Sequence, residues 1–276
     1  MKKLFKIFGI ITFLCFSFFY TDRVMNVISD KDPLKQEIIN LSNNYKLSSN
    51  EAVVSGDTII PGSNGREVNV DKSYKKMRTG NVFNDKLLVF NVIYPEYKLK
   101  DNMDKYIING NINKKEISIV FIINNDNNID KIISILDNKK VVSNLFIEYN
   151  YLFNNINKIK KYNNHNIYSY SDKYTYDTLV IANNIITRTM NNKPIYCLSK
   201  TKNKDNINVC SYSNMYTIIP SINGGYNDIK SNLSNGNIIL LDTSINTVNE
   251  LNLIINFINS KGYDIVGLDK LLSENV

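Results

Sequence analysis

His165 is the only histidine in this chain, so imidazole chemistry has one place to sit. A zinc site built from several histidines is therefore excluded for a single chain. Three cysteines, Cys15, Cys197 and Cys210, form no Cys-x-x-Cys pair. Polar chemistry falls instead to Asn124, Asp126, Glu148, Asp172 and Asp242, each at or just beyond the carboxyl end of an expected strand. In α/β folds such positions converge on one cleft. Their structural alternative is ordinary: loop caps and turns. Tyr168, Tyr170, Tyr174 and Tyr176 offer a sugar-stacking platform or, as readily, strand and helix packing. Cys197 and Cys210 are 13 positions apart, one on a strand and one on the following helix, and are expected to close a disulfide. His165 reads as a structural loop residue.

The elements that would position these groups follow from hydrophobic period. Residues 237–241 (NIILL) are a continuous apolar run that fits a buried strand. From Thr247, apolar residues recur at Val248, Leu251, Ile254, Ile255 and Ile258, one face of a helix, which Lys261 and Gly262 close. A strand over 263–266 and a helix over 268–272 complete a right-handed crossover unit. Upstream, strands are expected at 117–123, 144–148, 166–170, 194–198 and 216–220, alternating with helices at 129–138, 151–160, 174–190 and 205–214. Residues 222–233 read as partly helical. Seven strands alternating with helices predict an α/β fold with a parallel sheet. A doubly wound open sheet and an incompletely closed barrel both satisfy that pattern.

At the other end, Lys2, Lys3 and Lys6 border an apolar run reaching Tyr20 with no small-residue cleavage site. This predicts an uncleaved signal anchor, residues 1–24, crossing a cell membrane once, with its N-terminus cytoplasmic and the main domain extracellular. Residues 25–49 would be a stalk, 50–112 a small β-rich region punctuated by Ser55-Gly56-Asp57, Pro61-Gly62 and Asn64-Gly65, and 113–276 the main domain. A net charge of +7 reads as a solvated basic surface or, functionally, as attraction to an anionic envelope polymer or membrane surface. Arginine is scarce, which argues against nucleic acid.

The stretch GNIILLDTSINTVNELNLIINFINSKGYDIVGLDKLL resembles the end of a polysaccharide deacetylase (NodB-type) domain, and the resemblance extends over about residues 116–274. It implies the incomplete seven-stranded (β/α) barrel of that family, and a hydrolase that uses a divalent metal such as zinc to cleave the amide of N-acetylated glycan. The implied site is degenerate here. The family's first strand ends Thr-Phe-Asp-Asp-Gly; this chain has Ile122 and Ile123 in place of both carboxylates. In NHNIYSYSDKY, His165 matches a non-ligand histidine, while Tyr170 and Tyr174 stand at the two ligand positions. Cys197 falls near the family's arginine, and Asp242 stands at the position of its acid. Isoleucine neither takes a proton nor binds a metal. The chain is thus expected to carry no metal or cofactor and no catalytic residue, and to bind or scaffold cell-envelope polysaccharide or peptidoglycan. The cleft would use Asn124, Glu148, Tyr170, Asp172, Tyr174 and Asp242. Two rival expectations are an active carbohydrate deacetylase with an acidic site relocated to Asp172 or Asp242, and a structural envelope protein that interacts through residues 50–112.

Overall fold

A computed structural model describes residues 11–17, 30–125 and 128–275. They fall into two compact units, one of residues 11–17, 30–49 and 64–94, the other of residues 50–63 and 95–275.

The smaller unit sets helix Pro33–Ser42 against helix Val70–Met77, beside an antiparallel pair, Gly65–Val68 with Phe90–Ile93. Proline at the first helical position and Asp32 at the N-cap start the first helix, Asp32 accepting from the Leu34 amide. Leu34, Ile38, Val68, Tyr74 and Met77 make its core. Lys35, buried along the same helix, keeps its charge between Asp30 (2.6 Å) and Asp71 (2.7 Å).

The larger unit holds the strands β1 (Val53–Ser55), β2 (Thr58–Ile60), β3 (Tyr106–Ile107), β4 (Glu116–Ile123), β5 (Asn144–Glu148), β6 (Asn166–Tyr170), β7 (Tyr196–Leu198), β8 (Tyr216–Ile218), β9 (Ile222–Asn223), β10 (Ile238–Leu241) and β11 (Asp264–Ile265). One sheet runs β9-β10-β4-β5-β6, all parallel, with β11 added beside the start of β4. The other runs β1-β2-β3-β8-β7, parallel except for the β1–β2 hairpin, whose turn uses Gly56 at positive φ. Residues 53–60 and 106–107, read from sequence as part of a separate β-rich region, thus extend the sheet that contains β7 and β8.

Alternation along the strands divides the core in two. Ile117, Ile119, Phe121 and Ile123 of β4 face the helices, as do Leu145 and Ile147 of β5 and Ile239 and Leu241 of β10. Their intervening residues, Val120, Phe146, Ile238 and Leu240, meet Tyr168, Tyr170, Tyr196, Leu198 and Ile218 across an enclosed interior. The outer layer is built by helices α1 (Ile129–Asn138), α2 (Tyr149–Asn154), α3 (Tyr176–Met190), α4 (Lys204–Tyr212), α5 (Tyr226–Asn232) and α6 (Ile245–Ser260). Leu251, Ile254, Ile255 and Ile258 of α6 are fully buried on that layer. Each such side chain contributes roughly 1.5–3 kcal/mol of apolar transfer. The short helix α7 (Leu268–Leu271) sends Leu268 and Leu271 into the interior at the N-terminal end of the strands.

The expected membrane anchor is not supported. Among the described residues no helix is long and apolar enough to cross a membrane. The described part, residues 11–17, is helical. Residues 1–10 and 18–24 of the expected anchor lie outside the described residues. The single-pass topology, its assigned sides and the membrane as a partner are withdrawn with it.

Candidate functional site

At the carboxyl ends of β4 and β10 lies a cavity of about 250 Å³, lined by Ile122, Asn124, Lys200, Asn223, Asp242 and Thr243 over a floor of Leu240 and Leu241. Strand period explains two of these. Ile122 continues the inward-facing series through Val120, and Asp242 the series through Ile238 and Leu240. Ile123, one residue on, is buried against the helices instead. A second cavity of about 290 Å³ shares Asn223, Leu240, Leu241 and Asp242 and continues past Gly224 and Gly225 to the start of α6.

Asp242 stands between the two cavities, and its carboxylate is already engaged. It accepts from the Ser244 amide (3.0 Å) and from the Thr247 hydroxyl. Partial burial works against its charge, but the hydrogen bonds from Thr247 and Ser244 outweigh it and hold the carboxyl below its usual range. Glu148 is likewise a cap: its carboxylate accepts from the Asn150 (3.1 Å) and Tyr151 (3.2 Å) amides at the start of α2. Asn124 is exposed at the cavity rim and accepts from Asn125. Asp126 lies outside the described residues.

Tyr170 and Tyr174 are both buried. The Tyr170 hydroxyl donates to Asp172, while Lys200 lies 3.5 Å from the same carboxylate and 5.4 Å from the Tyr170 ring centre. The hydrogen bond from Tyr170, with help from Lys200, depresses the Asp172 carboxyl. Burial, then the Asp172 hydrogen bond, drives the Tyr170 phenol far up. Tyr174 works where β6 and β7 lie side by side without a ladder between them. Its oxygen accepts from the Leu198 amide (3.3 Å) and sits 3.2 Å from the Ser169 carbonyl, to which its proton is donated. It therefore clasps the two strands, and burial raises its phenol well above the ordinary value. Cys197 of β7 is joined to Cys210 of α4 in a disulfide, packed with Tyr174, Leu179 and Met215.

Comparison with solved structures decides the fold. The wild-type BA3943 protein of Bacillus anthracis, described as a CE4 family pseudoenzyme, superposes with a TM-score of 0.67 at 21% identity, covering 89% of this chain and 96% of that one. This chain has the polysaccharide-deacetylase fold. The Bc1960 peptidoglycan N-acetylglucosamine deacetylase superposes with a TM-score of 0.55 at 19% identity, over 62% of this chain and 95% of that one. In sequence, the uncharacterized protein YlxY of Bacillus subtilis (strain 168) is 26% identical over 280 residues, covering 91% of this chain and 86% of that protein. No family model matches the chain.

On the polysaccharide-deacetylase fold the resemblance places a divalent metal at Ile123 or Ile122 together with Tyr170 and Tyr174, and these residues do not fit one. Neither isoleucine has a donor atom. Both tyrosines are buried and held protonated, with their oxygens already in hydrogen bonds. Among the described residues no group of three or more His, Cys, Asp or Glu side chains is placed to hold a metal. His165 is remote from the cleft, at the start of β6, where Nδ1 accepts from the Ser143 amide (3.2 Å).

Of the residues singled out from sequence, the structure brings Ile122, Asn124 and Asp242 to one cavity and reaches Tyr170 and Asp172 through Lys200. It turns Glu148, Tyr174 and Cys197 to structural contacts. Sequence reading missed Lys200, Asn223 and Thr243. Lys200 and Thr243 each lie two residues past a strand's last residue and were open to the same rule that found Asp242. Asn223 ends a two-residue strand too short for any period.

Proposed function

We propose that this chain is a deacetylase-like protein without deacetylase chemistry that binds N-acetylated envelope glycan in the cleft at the carboxyl ends of β4 and β10. One observation carries the reading. The residues that the resemblance sets at the metal and base positions are apolar or already hydrogen-bonded, while the cavity beside them is open and is rimmed by Asn124, Lys200, Asn223 and Thr243. Hydrogen-bonding side chains around an apolar floor suit a sugar, which presents hydroxyls at its edge and C–H groups on its faces. The fold is shared with a peptidoglycan N-acetylglucosamine deacetylase, which makes that class of glycan the first to test.

The test is sedimentation of the purified protein with peptidoglycan sacculi, alongside an acetate-release assay with added zinc or cobalt. Saturable binding is expected, weakened about ten-fold by Asn124→Ala with Lys200→Ala through the loss of two polar contacts. No acetate is expected with either metal. Acetate release that disappears in Asp242→Ala would overturn the assignment in favour of a relocated acidic site. Absence of binding to sacculi would remove the glycan reading.

A further inference from the structure

Three of the four tyrosines clustered in the sequence around β6, Tyr168, Tyr170 and Tyr174, are buried, whereas Tyr176 is half exposed at the start of α3. Its ring meets that of Tyr212, at the end of α4, edge to face with centroids 5.6 Å apart. Tyr212 is 78% exposed, the most open large hydrophobic side chain among the described residues.

Both rings are held from below. Cys210, two residues before Tyr212, is bonded to Cys197 of β7. Asn206 of the same helix accepts from the Tyr174 amide (2.9 Å) and donates to the Asp172 carbonyl (3.0 Å). The loop that leads into Tyr176 and the helix carrying Tyr212 are thereby tied together and to the strands that deliver Tyr170 and Lys200. Lys173, Asp177 and Asn208, within four residues of one or other ring in the chain, are exposed. An aromatic surface only two rings wide with a polar surround is small for a protein partner, whose contact takes about 800 Å² per side. It matches one pyranose ring, C–H face on the aromatic face and hydroxyls to the polar rim.

We propose that Tyr176 and Tyr212 form a second sugar-binding platform, outside the cleft, that stacks a further unit of the same glycan chain. The proposal rests on the glycan-binding reading above and adds to it a dependence on chain length. Titration calorimetry with β-1,4-linked N-acetylglucosamine dimer and hexamer tests it, using wild type, Tyr176→Ala/Tyr212→Ala and Tyr176→Phe/Tyr212→Phe. The hexamer is expected to bind wild type more tightly than the dimer. The double alanine variant should lose roughly ten-fold for the hexamer and leave the dimer unchanged, while the double phenylalanine variant keeps stacking and stays near wild type. Circular dichroism and Tm confirm that the variants, altered only at exposed rings, are folded. An unchanged hexamer affinity in the double alanine variant overturns the platform while leaving the cleft reading intact. So does an equal loss for both oligomers. Failure of wild type to bind either oligomer overturns platform and cleft together.

Discussion

The two ends of the central strands handle polar groups in opposite ways. At the N-terminal end, Asn144 is fully buried and uses every bond it can make. Its oxygen accepts from the Leu268 amide (2.9 Å) and from Asn166 (3.0 Å), and its nitrogen donates to the Ile119 carbonyl (3.0 Å) and the Ser118 hydroxyl (3.2 Å). Ser118 in turn donates to the Val266 carbonyl, so α7, three strands (β4, β5 and β6) and the residue after β11 are stitched across the floor of the barrel. At the C-terminal end, Asp242 and Glu148 cap their own loops and Asn124 stands exposed beside an open cavity. The first end carries stability; the second holds open, polar-rimmed cavities. That division matches the general separation of stability and function between the two faces of such barrels.

Substitutions can break or sharpen this contrast. The largest effect is expected from Asn144→Ala, which strands a buried amide, a carbonyl and a hydroxyl. Urea unfolding should show a loss of about 3–4 kcal/mol. A loss below about 1 kcal/mol would mean the floor is not the stabilising end. Tyr174→Phe comes next, at about 1–2 kcal/mol, because the Leu198 amide loses its acceptor in a dry seam. A cost near that of Asn144→Ala would blur the difference between the ends.

His165 gives a pH signature to the floor. It is buried, and desolvation lowers its pKa below the ordinary 6.5, with Asp137 opposing only in part. The unfolded chain therefore takes up the proton first as pH falls, so unfolding free energy should decrease from about pH 7 downward and level off once the folded imidazole also titrates. Since His165 is the only histidine, its imidazole C–H resonances report the folded midpoint directly. A midpoint at or above 6.5 would contradict the burial effect. The smallest change is expected at the cleft itself. Lys200→Ala should shift stability by no more than about 0.5 kcal/mol, since its partner Asp172 is mostly exposed, and its effect should appear in sacculus binding instead.

Much of this was legible in the sequence where physical period was strong. The apolar series of α6 from Leu251 to Ile258 lies on the buried face, and the doubly buried run of β4 reads as a strand because both of its faces are covered. Short elements were not legible. β3 is two residues long and carries no period, yet it sits between β2 and β8. The Asn144 network was invisible because its partners come from residues far apart in the chain. The same holds for Tyr212, whose ring joins Tyr176 only through the folding of α4. The cleft was half legible. Positions after strands could be named, but whether a carboxylate there faces a ligand or caps its own loop depends on hydrogen bonds such as those from Ser244 and Thr247 to Asp242, which spacing alone does not reveal.

The clasp made by Tyr174 constrains any attempt to build a metal site at this seam. A histidine introduced there would withdraw the phenol that holds β6 to β7. The substitution would then lower stability before any ligand set is complete. A designed site at this place must first reinforce the seam by some other bond.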